Sequence, residues 1–267
     1  MPVLPEGTPC WADAMFTDLE GAKAFYGDVL GWTFGESSSE YGNYTQAYSD
    51  GKAVAAIVPP MPGQDGTAVS AWCLYLASPD AATSAEKIRA AGGEVLMGPM
   101  AVGEFGSMVI AKDPAGVVFG VWQAGTHEGF EKQGASGAYT WAEVITRDEA
   151  AADRFFPAVF PYAVKRMDSE QVDYKIFHVR EQPVLGRMLA GPTDLPAEAP
   201  NYLSVYFAVD DCDATVAKVT DLGGKLYFGP MDSPFGRFAA VGDPQGAAFG
   251  VIDLGRTAGD MPVMVAE

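Results

Sequence analysis

The sequence repeats itself. Sliding the 267-residue chain along itself by 130 places sets Trp11 on Trp141, Asp18 on Asp148 and Phe25 on Phe155, and sets Ser39, Glu40 and Tyr44 on Ser169, Glu170 and Tyr174. The offset then becomes 131, where Asp80 meets Asp211 and GGEVLMGPM from Gly92 meets GGKLYFGPM from Gly223. It returns to 130 for Phe105 and Gly106 against Phe235 and Gly236, and for DPAGVVFGV from Asp113 against DPQGAAFGV from Asp243. Ordered self-similarity of this kind marks a duplicated unit. Two domains are therefore expected, at 9–123 and 138–254. An N-terminal extension, 1–8, precedes them, and a linker, 124–137 (AGTHEGFEKQGASG), joins them; its Gly and polar content predicts an exposed connection. Residues 255–267 read as an unstructured tail.

Each repeat reads as α+β. Residues 10–17 predict a strand, and Asp18 then caps a helix because its carboxylate can accept from the free amides of the first turn. Ala22, Phe25, Tyr26 and Val29 form the buried stripe of that helix, and Gly31 ends it where a left-handed residue costs little. Strands follow near 32–36, 43–48 and 53–59. The second half of the unit repeats the plan, with a strand at 71–77, a helix from Asp80 to Ala91 closed by Gly92 and Gly93, and strands near 94–99, 106–112 and 117–122. Each repeat is thus two βαβββ modules.

Composition narrows the partners. Seventeen Lys and Arg against 35 Asp and Glu give a net charge of −18, which disfavours nucleic acid and anionic membranes, since both demand a basic face. With 48% hydrophobic residues the chain can fill a core, and disorder is excluded as its main state. No apolar run reaches the roughly 18 residues of a membrane span, and MPVLPEGTPCW lacks the pattern of a signal peptide, so a cytoplasmic location is expected. Cys10, Cys73 and Cys212 are widely spaced, without CxxC, and are expected as buried free thiols. No GxSxG, P-loop or dinucleotide fingerprint occurs.

The runs TDLEGAKAFYGDVLGW and KDPAGVVFGVW resemble the vicinal oxygen chelate superfamily, which includes glyoxalase I, extradiol dioxygenases and the fosfomycin and bleomycin resistance proteins. TPCWAD, MPGQ, GGxxxxGPM and GDPQGAAFGVI are similar to the tandem actinobacterial proteins labelled hydroxylase, some of whose relatives sit in aromatic polyketide and anthracycline pathways. The resemblance covers both repeats. It implies tandem glyoxalase-like domains, each a curved, cup-shaped mixed sheet that holds its ligand in the cup.

Catalytic members of that superfamily hold a divalent metal by side chains on the first, fifth and eighth strands. Carried onto this sequence, those positions fall on Trp11, Cys73 and Gly120, and on Trp141, Ser204 and Gly250. One thiol, one hydroxyl, two indoles and two glycines cannot supply the imidazole and carboxylate donors such an ion needs, so no metal or other cofactor is expected. The pairing of the largest with the smallest side chain suggests that each Trp fills the space its Gly leaves. Two readings of the tryptophans stay open: core plugs, or stacking walls for a flat ligand.

Strand alternation places 11, 13 and 15 on one face, and 141, 143 and 145 likewise. Asp13 and Glu143 are therefore candidates for the acid or base of a proton transfer, with a structural role, bonding across the sheet, as the alternative. Tyr75 shares a face with Cys73, and Tyr202 and Tyr206 share one with Ser204. With Trp122 and the two tryptophans they form the candidate ligand wall. His127 is expected to be solvent-exposed and His178 to lie at a cup rim. The expected function is metal-free binding of a small aromatic or hydrophobic molecule, by a monomer or homodimer, for sequestration or as an accessory in secondary metabolism. The alternative is a glyoxalase-like lyase or isomerase, or an enzyme of hydroxylase or dioxygenase type, using Asp13 and Glu143.

Overall fold

The structure, a computed structural model, describes residues 4–60, 70–169, 171–192, 195, 197 and 199–267. The MPGQ motif at 61–64 and Glu170 of the repeat match lie outside the described residues.

The first repeat runs β1 (Pro9–Met15), α1 (Leu19–Leu30), β2 (Thr33–Phe34), β3 (Thr45–Ser49), β4 (Lys52–Val58), β5 (Trp72–Ala77), α2 (Ala81–Ala90), β6 (Glu94–Val102), β7 (Gly106–Lys112) and β8 (Val118–Ala124). The second runs β9 (Tyr139–Thr146), α3 (Glu149–Val159), β10 (Ala163–Met167), β11 (Tyr174–Val179), β12 (Gln182–Leu189), β13 (Tyr202–Ala208), α4 (Cys212–Asp221), β14 (Lys225–Ser233), β15 (Gly236–Gly242) and β16 (Ala248–Asp253). The same device starts each helix: Asp18, Asp80, Asp148 and Asp211 accept from the amides of Gly21, Thr83, Ala151 and Ala214 at 2.9–3.0 Å. A carboxylate there satisfies an amide that has no partner inside the helix and sits at the positive end of its dipole. Gly31 closes α1 at φ 70°.

Two curved mixed sheets result, ordered β2-β3-β4-β1-β5-β8-β7-β6 and β14-β15-β16-β13-β9-β12-β11-β10, the second extended beyond β10 by one further strand. The central antiparallel seams, β1 with β5 and β9 with β13, join the modules of each repeat. Alternate residues divide between two environments, as a two-residue period demands. Ala12, Ala14, Leu74, Leu76, Phe119 and Val121, with Ala142, Val144, Val205 and Phe207, face one hydrophobic core that also takes in the helices of both repeats. Trp32 and Trp72 of the first repeat meet Phe207 of the second at 5.2 and 5.1 Å between ring centroids, and Phe119 meets Phe155 and Phe156. The repeats thus share a core back to back, and the opposite faces of the two sheets are left as two separate cups.

One expectation about the ends of the repeats is corrected. Residues 255–267 are not an unstructured tail: Met264–Ala266 forms β17, pairing antiparallel with β10, because β10 would otherwise present an unpaired edge. The linker is mostly exposed, as its composition predicts, yet anchored to the first repeat. The amides of Phe130 and Glu131 donate to the carbonyls of Cys10 and Ala53, and the Glu131 carboxylate accepts from the Ala53 amide.

Among the described residues, one charged side chain lies fully inside. Arg187 is 0% exposed and spans Asp153, through two bonds at 2.9 and 3.0 Å, and Asp173 at 2.6 Å. The position 130 residues earlier is Ile57, which is equally buried.

Candidate functional site

The cup faces carry the residues that strand alternation selected, and each cup is organised around its carboxylate. On β1 and β5, Asp13 Oδ2 accepts from the Tyr75 hydroxyl at 3.0 Å and from the Tyr44 hydroxyl at 3.3 Å; Tyr44 in turn accepts from Trp11 Nε1 at 2.6 Å. On β9, β11 and β13, Glu143 Oε1 accepts from Tyr174 at 2.6 Å and Oε2 from Tyr206 at 2.9 Å, while Trp141 Nε1 donates to Tyr174 at 3.0 Å. Tyr44 with Tyr174, and Tyr75 with Tyr206, are repeat-equivalent. A Trp–Tyr–carboxylate–Tyr network therefore exists twice. Tyr44 and Tyr174 were missed as site residues, although the repeat match pairs them; only the folding of β3 and β11 beside β4 and β12 brings them to the carboxylates.

The glycines at the eighth-strand positions have a different role from the one expected. The rings that fill the space over Gly120 and Gly250 belong to Tyr75 and Tyr206, not to the tryptophans; a Cβ at either glycine would overlap the tyrosine ring. The register explains this, since Tyr75 lies beside Gly120 and Tyr206 beside Gly250 on neighbouring parallel strands. A similar exchange adjusts the carboxylates. Ala56 lies beside Asp13, but Gly186 lies beside the longer Glu143, and a Cβ on Gly186 would strike the Tyr174 hydroxyl and Glu143 Cγ.

Burial sets the electrostatics. Desolvation, opposed by the bonds from Tyr75 and Tyr44, pushes the Asp13 carboxyl up to about 7. Glu143 is also raised by burial, against bonds from Tyr174, Tyr206 and Trp141. Burial first, then the nearby carboxylate, holds Tyr75, Tyr174 and Tyr206 well above the usual phenol range, so they remain donors. Tyr202, also on the second cup face, is pushed up to about 12 by burial.

The two cups differ in how they are closed. Trp11 is 3% exposed, its indole covered by the edge of His127 at 4.4 Å and by Phe130 at 5.5 Å. Trp122 is buried in the same cluster and donates to the His127 carbonyl at 2.9 Å. His127 is thus half-buried rather than solvent-exposed: the folded-back linker holds it against two indoles, its Nε2 has no partner among the described residues, and burial lowers its pKa. Trp141 is half-buried and, among the described residues, has no ring contact. His178 is not at a rim but buried in β11, with Nδ1 3.0 Å from its own strand's Ile176 carbonyl. Cys10 and Cys212 are buried; Cys73, on the first cup face, is half-buried.

The donor set does not fit the divalent metal of catalytic glyoxalases and dioxygenases. The ring of Tyr75 or Tyr206 stands where a carboxylate from the eighth strand would begin, and among the described residues no three His, Cys, Asp or Glu side chains converge.

A family profile described as the glyoxalase/bleomycin resistance protein/dioxygenase superfamily matches residues 11–121. The chain is 38% identical over 260 residues to the anthracycline biosynthesis protein DnrV of Streptomyces peucetius, covering 93% of this chain and 94% of that protein. The chain belongs to this superfamily. The anthracycline biosynthesis protein DauV of a Streptomyces species is 36% identical over 260 residues, with the same coverage. Among solved structures of the superfamily fold, the Mn(II)-bound glyoxalase of Novosphingobium aromaticivorans has a TM-score of 0.62 at 16% identity, covering 96% of this chain and 87% of that one. The 2,2',3-trihydroxybiphenyl 1,2-dioxygenase of Sphingomonas wittichii has a TM-score of 0.63 at 15% identity, covering 96% and 93%. At such identities the likeness is one of fold. No helix among the described residues is long and apolar enough to cross a membrane.

Proposed function

We propose that this superfamily member binds a hydroxylated, planar aromatic molecule in a cup without the help of a metal ion. The observation that carries the reading is the Trp–Tyr–carboxylate–Tyr network. Each Trp donates to a Tyr and each Tyr to the carboxylate, so with the carboxyls ionised the lone pairs of Tyr75, Tyr206, Asp13 and Glu143 are what remains for a ligand, and they call for a hydroxyl donor. Indole and phenol faces add stacking area around these few polar groups, the composition of a small-molecule site. The names of the two Streptomyces relatives point to the same class, hydroxylated polycyclic aromatics.

A test is titration of the chelator-treated protein with 1,4-dihydroxyanthraquinone and with unsubstituted anthraquinone, followed by tryptophan fluorescence and thermal shift. Saturable binding of the hydroxylated probe, at least tenfold tighter than that of the unsubstituted one, is expected. Binding that requires added Mn(II), Fe(II), Ni(II) or Zn(II) overturns the metal-free reading, and equal affinity for the two probes overturns the role of the carboxylates.

A second reading, in which Asp13 or Glu143 transfers a proton in a lyase or isomerase reaction, is favoured by the Asp13 carboxyl lying at about 7. A general acid or base works best when its pKa is near the working pH. Turnover of a bound ligand that is lost in Asp13→Asn or Glu143→Gln, with binding retained, is the outcome that would select it.

A further inference from the structure

The repeats are alike in their networks and unlike in their openings. In the first cup the two rims of the sheet meet. Tyr41, in the turn between β2 and β3, packs its ring on Phe105 of the β6–β7 hairpin at 5.3 Å, and Gly103 lacks the Cβ that would strike the Tyr41 hydroxyl. His127 and Phe130 of the linker cover Trp11 in the same cup. In the second cup the position equivalent to Tyr41 is Gln171, so Phe235, equivalent to Phe105 and similarly exposed, has no such ring to meet. Phe228 stands exposed on the neighbouring rim strand, β14, where its equivalent Met97 is half-buried.

What spans the second cup is the segment after β16. Ala258 donates its amide to Ser233, at the end of β14, and Val263 accepts from Asp168, just past β10. These strands are the opposite rims of the sheet, seven interstrand steps apart. Around the back of the sheet that is about 34 Å at roughly 4.8 Å per step. The five residue steps from Ala258 to Val263 reach at most about 18 Å. The chain must therefore cross the open side of the cup. Met261 and Val263 on this crossing are each 66% exposed, so the strap lies over the cup without packing into a core.

Few contacts hold it. At one end Arg256 pairs with Asp213 at 2.8 Å. At the other, β17 adds three residue pairs to β10, and the Glu267 carboxylate pairs with Lys175 and, at 3.9 Å, with Arg166. Lys175 is itself shared with Asp153, the carboxylate that holds the buried Arg187.

We propose that the second cup alone is the ligand site, and that the segment 254–267 is its strap, latched by the Lys175–Glu267 pair and opened for ligand exchange. The first cup, with its rims in contact and its tryptophan covered, is a structural remnant. This rests on the aromatic-ligand reading above and adds where the ligand goes and how it leaves. Arg256–Asp213 is exposed at both partners and Lys175–Glu267 on its Glu267 side; such pairs weaken as salt screens them, so exchange should quicken with ionic strength.

The arrangement is suited to a direct test, because Trp141 is the one tryptophan in the second repeat, the others being Trp11, Trp32, Trp72 and Trp122. Protein labelled with 5-fluorotryptophan is titrated with 1,4-dihydroxyanthraquinone and followed by fluorine NMR, with the Trp141 signal assigned from Trp141→Phe. Probe dissociation is measured by stopped flow for the full chain, for Glu267→Gln and for a chain ending at Thr257. One equivalent per chain, a shift at Trp141 with Trp11 unmoved, and dissociation at least fivefold faster in the shortened chain and in 0.5 M NaCl are expected. Glu267→Gln should fall between. Two equivalents, or a shift at Trp11, overturn the choice of cup while leaving the aromatic-ligand reading intact. An unchanged dissociation rate in the shortened chain overturns the strap. Failure of the full chain to bind the probe overturns both readings together.

Discussion

Tyr206 lies over Gly250 so closely that a single methyl at Gly250 would sit within its ring, and Tyr75 stands in the same relation to Gly120. The phenol that donates to the cup carboxylate is positioned by the absence of a side chain on the neighbouring strand. Gly250→Ala is expected to push the Tyr206 hydroxyl away from Glu143 and to destabilise the fold by about 1–3 kcal/mol, the usual cost of overpacking. Urea unfolding measures the loss. Probe affinity should fall with it, whereas Ala56→Gly, which lies in the first cup beside Asp13, should leave the second cup untouched.

The raised Asp13 carboxyl makes stability depend on pH. Its folded value is about 7 against an ordinary 3.8, so between those values the folded chain holds a proton that the unfolded chain has released. By linkage this contribution is fully present below about pH 4 and is lost as pH rises through 7. One full proton corresponds to a slope of about 1.4 kcal/mol per pH unit. Glu143, raised for the same reason, contributes with the same sign. The difference in unfolding free energy between the native chain and Asp13→Asn, measured from pH 4 to 8, should therefore shrink as pH rises. A difference independent of pH would show that Asp13 is ionised throughout.

Arg187 is a buried charge with two carboxylate partners. Arg187→Ala leaves Asp153 and Asp173 facing each other without it, and is expected to cost roughly 3 kcal/mol, the low end for breaking a buried pair because Asp173 is partly exposed. Replacing all three, as Arg187→Ile, Asp153→Ala and Asp173→Asn, should recover most of that loss, since Ile57 already fills the equivalent place in the first repeat. Thermal unfolding of the single and triple variants checks this.

A missing hydroxyl breaks the symmetry of the helices. Asp243 Oδ2 accepts from Tyr26 at 2.9 Å, but Asp113 Oδ2 has no partner among the described residues, and the residue equivalent to Tyr26 is Phe156. Phe156→Tyr should supply the bond and stabilise the chain by about 1 kcal/mol, the net worth of a typical hydrogen bond. A fall in melting temperature would show that the added oxygen has no room.

Much of the fold is legible in the sequence. The offset of 130 exposed the duplication, because repeated modules must bury equivalent faces and so keep equivalent apolar positions. Asp18, Asp80, Asp148 and Asp211 announced the helix starts, since an N-cap is a contact between residues three apart. Strand alternation put Trp11 and Asp13, and Trp141 and Glu143, on the cup faces, because a two-residue period needs only the local backbone. The long-range partners were beyond such reasoning. That Tyr44 and Tyr174 complete the networks, and that Tyr75 and Tyr206 fill the glycine sites, follows from interstrand register between residues more than 30 positions apart. That residues 124–137 seal one cup while 254–267 bridge the other depends on where each segment finds an unpaired edge or an uncovered ring. Local periodicity determined which side chains each cup owns. Packing across the sheets decided what those side chains touch and which cup the linker covers, because those contacts join residues whose separation in sequence carries no periodic signal.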